Sequence, residues 1–180
     1  TMEDPDYPNI KKENGEVDSQ RSFTVYKQRY LENVDWSDDR LLRTPIFHKK
    51  MTTYLEDLTP KNPDSIIKAT DKLVKRTDGN DETFQYIVHH VTSTYERSKI
   101  MGMDKVFVHM AEKYYLTGMA DWISDKQLKD IRERVARLKP NLIGKQAPRI
   151  TMADTGNNPV PLYDVDKPVT VLFFWDSECG

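Results

Sequence analysis

Apolar side chains return every three or four residues over most of this chain, which is the period of an amphipathic helix. The first stripe is Phe23, Tyr26, Tyr30, Leu31 and Val34. A second follows "RTP", where Thr44 suits an N-cap and Pro45 the first helical position. It consists of Phe47, Met51, Tyr54, Leu55 and Leu58. "NPDSIIKATDKLVKRTDG" repeats that punctuation, with Asn62 as cap, Pro63 as first residue and Gly79 as stop. Its inner face is Ile66, Ile67, Thr70, Leu73 and Val74. A fourth helix, over about 81–99, carries Phe84, Ile87, Val88, Val91 and Tyr95. After Gly102 a fifth presents Val106, Phe107, Met110, Ala111 and Tyr114, and Gly118 ends it. Ser124 and Gln127 form a capping box before the last stripe, Leu128, Ile131, Val135 and Leu138, which Pro140 stops.

The spacing therefore predicts a mainly α fold over residues 21–139, with five or six amphipathic helices. Short loops make successive helices antiparallel neighbours. The helix starts share no consensus, so an irregular bundle is expected rather than a repeat array. Residues 1–20 carry six acidic and two basic side chains with almost no apolar pattern. They read as a solvated, disordered tail.

At Pro140 the pattern changes to Pro, Gly and Asn with short apolar runs. "RITM" and "VPLY" flank the turn-rich "ADTGNNP" and read as two strands. "VTVLFFW", residues 169–175, is apolar on both alternating faces. Such a strand requires cover on both sides, as in the centre of an α/β sheet. An uncovered strand of this kind is also a pairing edge for a second copy.

Bulk composition changes little in this picture. The 180 residues are 37% hydrophobic and 31% charged, with a net charge of −2. That balance gives no reason to expect a nucleic-acid partner. The single cysteine, Cys179, excludes an internal disulfide framework and a cysteine zinc site. No apolar run approaches the roughly 20 residues needed to span a bilayer. No signal peptide is visible; the polar start at Thr1 is compatible with one already removed.

Two resemblances add to this reading. "IGKQAPRITMADTGNNPVPLYDV" followed by "VTVLFFWDSECG" resembles the opening of the TlpA-like thiol–disulfide oxidoreductases of the thioredoxin-like superfamily. The matching features are Gly144, Ala147 and Pro148, the "VPLYDV" segment, Trp175 four residues before Cys179, and Gly180 after it. The resemblance covers the last 38 residues. It implies an incomplete α/β thioredoxin-like domain over 140–180, cut inside a Cys-X-X-Cys motif, with Cys179 as the attacking thiol. It also implies a protein dithiol or disulfide substrate, no cofactor, and export to a bacterial periplasm or cell envelope. "RLLRTPIFHKKM", "NPDSIIKA", "SKIMGMDKVFVHMAEKYYLTG" and "RLKPNLIGKQAP" resemble a helical domain of unknown function found ahead of such redox domains. That second resemblance brings an architecture but no activity.

A helix opening after the strand would place Cys179 at its N-terminus, where unpaired N–H groups favour the thiolate that attacks disulfides. Asp176 and Glu178 oppose that ionisation. The expectation is an N-terminal accessory or interaction domain of an exported oxidoreductase, inactive as this chain alone because no resolving cysteine is present. Two alternatives stand beside it. One is a non-catalytic helical module that binds a protein partner. The other is a peroxiredoxin-type thiol peroxidase, against which Asp176 occupies the position where such enzymes carry a Thr.

Other candidates are weaker. His109 and Glu112 have the spacing used in carboxylate-bridged metal bundles but lack the second set, so no metal site is expected. His89 and His90 are adjacent, so one is expected exposed and the other at a core margin. His48 has no evident partner. The tyrosines of the helical part are read as core packing in preference to a binding groove, and Trp36 and Trp122 as anchors near helix junctions. In the last helix, Asp125–Lys129, Asp130–Arg134 and Glu133–Arg137 are expected as surface ion pairs.

Overall fold

The computed structural model describes residues 3–165 and 167–173. The chain divides into two compact units, residues 1–143 and 144–180. The first is mainly helical, with α1 Ser19–Glu32, α2 Pro45–Thr52, α3 Pro63–Val74, α4 Asp81–Glu96, α5 Asp104–Met110 and α6 Asp125–Leu138. The caps fall where the sequence puts them. Thr44 Oγ1 accepts from Ile46 N, Asn62 Oδ1 from Ser65 N, and the Ser124–Gln127 box is reciprocal. α1 opens at Ser19, capped by Asp18, two residues ahead of the first residue of the predicted helical region.

Three features of the backbone were not legible as periodicity. A short 3-10 turn, Asp39–Arg43, precedes α2. α2 and α5 each end in one wide turn, Thr53–Asp57 and Ala111–Tyr115. There the bonds Leu58 N→Thr53 O and Leu116 N→Ala111 O span five residues, as in a π-turn.

The predicted stripes face inward. Phe47, Met51, Leu73, Ile87, Val88, Val106 and Met110 are fully buried. α4 and α5 share the closest packing, and α5 also meets α3. A second small core forms where Val135 of α6 meets Phe107, Val108 and Ala111. Most tyrosines of the helical part pack in or against the core, with Tyr30, Tyr54, Tyr114 and Tyr115 buried. Trp36 packs edge-on against Phe47 at 5.3 Å, and its Nε1 donates to Leu31 O at 2.7 Å.

The surface of α6 departs from expectation. Its ion pairs are Lys129–Glu133 and Arg134–Glu96, at 3.9 and 3.5 Å, in place of the three predicted pairs. Arg134 leaves its own helix because α4 ends beside it. Its Nη2 donates to Glu96 O, and its guanidinium lies over the Phe107 ring.

Residues 3–18 are mostly exposed, yet they make specific contacts with the helices. A tight turn forms around Gly15, with Lys12 N→Glu16 O and Asp18 N→Ile10 O. Tyr7 packs on Tyr26, and Ser22 Oγ accepts from Ile10 N. Lys50 of α2 is the anchor. Its side chain is only 6% exposed, its Nζ lies over the Tyr30 ring, and it pairs with Asp4 at 2.5 Å. The sequence pattern does not show this, because the partner is one acidic residue among six.

The second unit contains an antiparallel hairpin, β1 Thr151–Ala153 and β2 Pro159–Pro161, with Met152 opposite Val160. Asp154 closes the turn by accepting from Gly156 N and Asn158 N. Both strands appear in the expected order and overlap the expected segments "RITM" and "VPLY", with β1 ending one residue later and β2 starting one residue earlier and stopping at Pro161. The predicted strand 169–175 does not form over its described part. Residues 169–173 are irregular, and Val169 and Val171 are 78% and 84% exposed. A strand apolar on both faces needs paired neighbours and two covering layers. The hairpin of two three-residue strands is the only sheet among the described residues, and it supplies neither.

Breaking the Lys50 anchor tests the role of the N-terminal segment. Asp4→Ala leaves a buried ammonium short of its carboxylate and is expected to cost about 1–2 kcal/mol in urea denaturation. In a Lys50→Met background the same change is expected to cost near zero. Equal costs in the two backgrounds would remove the ion pair as the anchor.

Candidate functional site

The sequence-predicted redox residues Trp175, Cys179 and Gly180 lie outside the described residues. Among the described residues no group of three His, Cys, Asp or Glu converges as metal ligands. His109 and Glu112 turn to different partners, Asp71 and Lys139. The histidines of α2 and α4 do come together. His48 Nδ1 is 2.9 Å from Tyr86 Oη, and the His48 and His90 rings meet edge-on at 5.1 Å. His48 thus has partners that no local spacing revealed. His89 is exposed and His90 half-buried, as the adjacency predicts.

A groove of about 590 Å³ opens in the helical unit between the α3–α4 turn and the loop that precedes α6. Its aromatic wall is Phe84 of α4, Tyr114 of the wide turn after α5, and Trp122. Phe84 meets Tyr114 at 5.9 Å and Trp122 at 5.6 Å, both edge-on. The volume is within the range of roughly 300–1,000 Å³ that small-molecule sites occupy.

The α3–α4 turn sets the groove's rim. Thr77 Oγ1 donates back to Val74 O and ends the helix. Asp78 and Gly79 then both adopt left-handed backbone, at φ 48° and 78°. Aspartate is one of the few side chains that tolerates this region, and glycine does so freely. Asn80 caps α4 by accepting from Thr83 N, so Asp81 stands in the first turn of α4 beside the rim. Met119 and Asp121 complete it from the loop side.

One carboxylate holds the wall behind. Asp71 of α3 accepts from Tyr114 Oη at 2.7 Å, lies 3.0 Å from His109 Nε2, and pairs with Lys113 Nζ at 2.7 Å. Burial pushes the Asp71 carboxyl up, but the hydrogen bonds from Lys113, His109 and Tyr114 outweigh it and hold the group below its ordinary value. Tyr114 moves the other way. Burial, then its bond to the Asp71 carboxylate, keeps the phenol protonated far above neutral pH. The network therefore fixes Tyr114 as a donor and Asp71 as its acceptor.

Sequence reasoning assigned Phe84 and Tyr114 to the core and Trp122 to an anchor. Phe84 and Trp122 are only partly buried because they line the groove. The available signal was the turn "TDGND", with Asp78 and Asp81, followed three residues later by Phe84, and a third Asp, Asp121, beside Trp122.

A family model described as "Domain of unknown function (DUF5106)" matches residues 17–141, more than half of the chain. No curated protein and no solved structure matches it.

Two measurements check the electrostatics. Because the Asp71 carboxyl is depressed in the fold, its stabilisation is present above the unfolded value of about 3.9 and is lost as pH falls through the folded value. Asp71→Asn is expected to cost about 2 kcal/mol at pH 7 by urea denaturation and to flatten stability against pH below about 4. His90 is also depressed, by burial first and then by His48 and His89. Its contribution is present above the unfolded value of about 6.5 and falls as pH drops below it. In thermal melts between pH 7 and 5, His90→Gln is expected to show the smaller loss of Tm; an unchanged slope would remove His90 as its source.

Proposed function

The chain belongs to the DUF5106 family, and from that premise we propose that its helical unit is a non-catalytic accessory and interaction domain of an exported thiol–disulfide oxidoreductase. The observation that carries this reading is the position of the division. The chain separates between Ile143 and Gly144, and the thioredoxin-like resemblance begins at Ile143. The hairpin of the second unit lies on the "ITMA" and "PVP" of that resemblance.

The polar networks of the helical unit support an interaction role over a catalytic one. Asp71, the most heavily hydrogen-bonded carboxylate beside the groove, is committed to three donors on the protein itself. In a protein that continues past Gly180, Cys179 would attack a substrate disulfide as the thiolate, and a second cysteine three residues on would resolve the mixed disulfide. The helical unit would bind a protein partner.

The test is the reading frame beyond the Gly180 codon. A cysteine two residues after Gly180 is the expected result. In that longer protein, Cys179→Ser is expected to reduce insulin disulfides no faster than dithiothreitol alone, with the urea midpoint of the helical unit unchanged. Another residue at that position would remove the dithiol mechanism.

A further inference from the structure

We propose that the groove between the α3–α4 turn and the α6-preceding loop binds a basic polypeptide segment, an apolar side chain flanked by Arg or Lys. This rests on the interaction-domain reading and names its site and partner chemistry.

Charge complementarity identifies the occupant. Asp78, Asp81 and Asp121 stand exposed on one groove, and none has an ion-pair partner among the described residues. Two ammonium groups share the lining, but Lys113 is already held by Asp71. Three uncommitted carboxylates therefore face one uncommitted cation, Lys75. The carboxylates come from two segments of the chain, and the wall beneath them is aromatic.

That combination suits a guanidinium or ammonium, which gains from a carboxylate and from the face of an aromatic ring. A single small cation would leave carboxylates and apolar wall unmatched. A peptide with alternating basic and apolar side chains meets both. Met119, 52% exposed on the rim, adds a flexible apolar contact that adapts to such a segment.

The experiment uses the full chain, ¹⁵N-labelled, and three probes: acetyl-Ala-Arg-Leu-Arg-Ala-amide, its Glu-for-Arg counterpart, and arginine amide. The basic peptide is expected to shift the Trp122 indole and Gly79 amide resonances, and to weaken as salt rises. Asp78→Asn with Asp121→Asn is expected to weaken it about tenfold. Asn keeps the left-handed backbone at 78 accessible, and circular dichroism checks the fold. Lys75→Gln is expected to tighten binding by about threefold, a gain that misfolding does not produce. Arginine amide is expected to bind at least about tenfold more weakly than the peptide.

Equal binding of the acidic peptide, equal affinity for arginine amide, or an unaffected Asn double variant would each overturn the proposal. Shifts confined to other faces would overturn the groove while leaving an interaction domain. No shift with any probe would overturn the groove as well, and the reading frame beyond Gly180 decides the redox assignment independently.

Discussion

The helical unit is organised around the Asp71 carboxylate. It sits on α3, yet its partners His109, Lys113 and Tyr114 all belong to α5 and the wide turn that follows. One half-buried charge thus fastens two elements separated by a whole helix in sequence. Leaving it unpaired would cost more than each bond contributes, so the three donors are held in one arrangement. The groove inherits that arrangement, because Lys113 and Tyr114 are part of its lining.

The two wide turns are built alike. Each closes a helix whose inner face is already full, and each carries tyrosine inward: Tyr54 in the first, Tyr114 and Tyr115 in the second. Adding one residue to the turn rotates the following side chains relative to a regular helix. At the second turn this brings Tyr114 onto Asp71 and Phe84 while Tyr115 packs against Trp122. The place of Tyr114 in the groove's aromatic wall is therefore a product of irregular backbone, supported from behind by a charge network.

The surface charges of the helical unit fall into two kinds. Charges that touch protein partners, such as Asp64 with Lys105 and Glu112 with Lys139, are satisfied locally. The aspartates on the groove rim are not, and they surround a surface that is apolar and partly open. A satisfied network stabilises a fold, whereas uncommitted charge beside partly buried aromatic side chains is the feature on which the proposed docking of a basic segment rests.

The helices and their caps were legible in the sequence because both are local. Apolar period, Thr44–Pro45, Asn62–Pro63 and the Ser124–Gln127 box all act within a few residues. The hairpin of the second unit was legible for the same reason, since Asp154 and Gly156 build its turn. The expected strand 169–175 was not realised over 169–173, because a strand with two apolar faces depends on neighbours far from itself. The Asp71 network, the His48–Tyr86–His90 cluster, the Lys50–Asp4 pair and the groove were also beyond local reading. Each joins residues roughly 40 positions apart, and which polar groups meet is set by how the packed helices cross. Sequence alone determined which faces would be buried and where helices begin; only tertiary packing decided which charges would be paired and which left on the surface, since pairing depends on distances that no local pattern encodes.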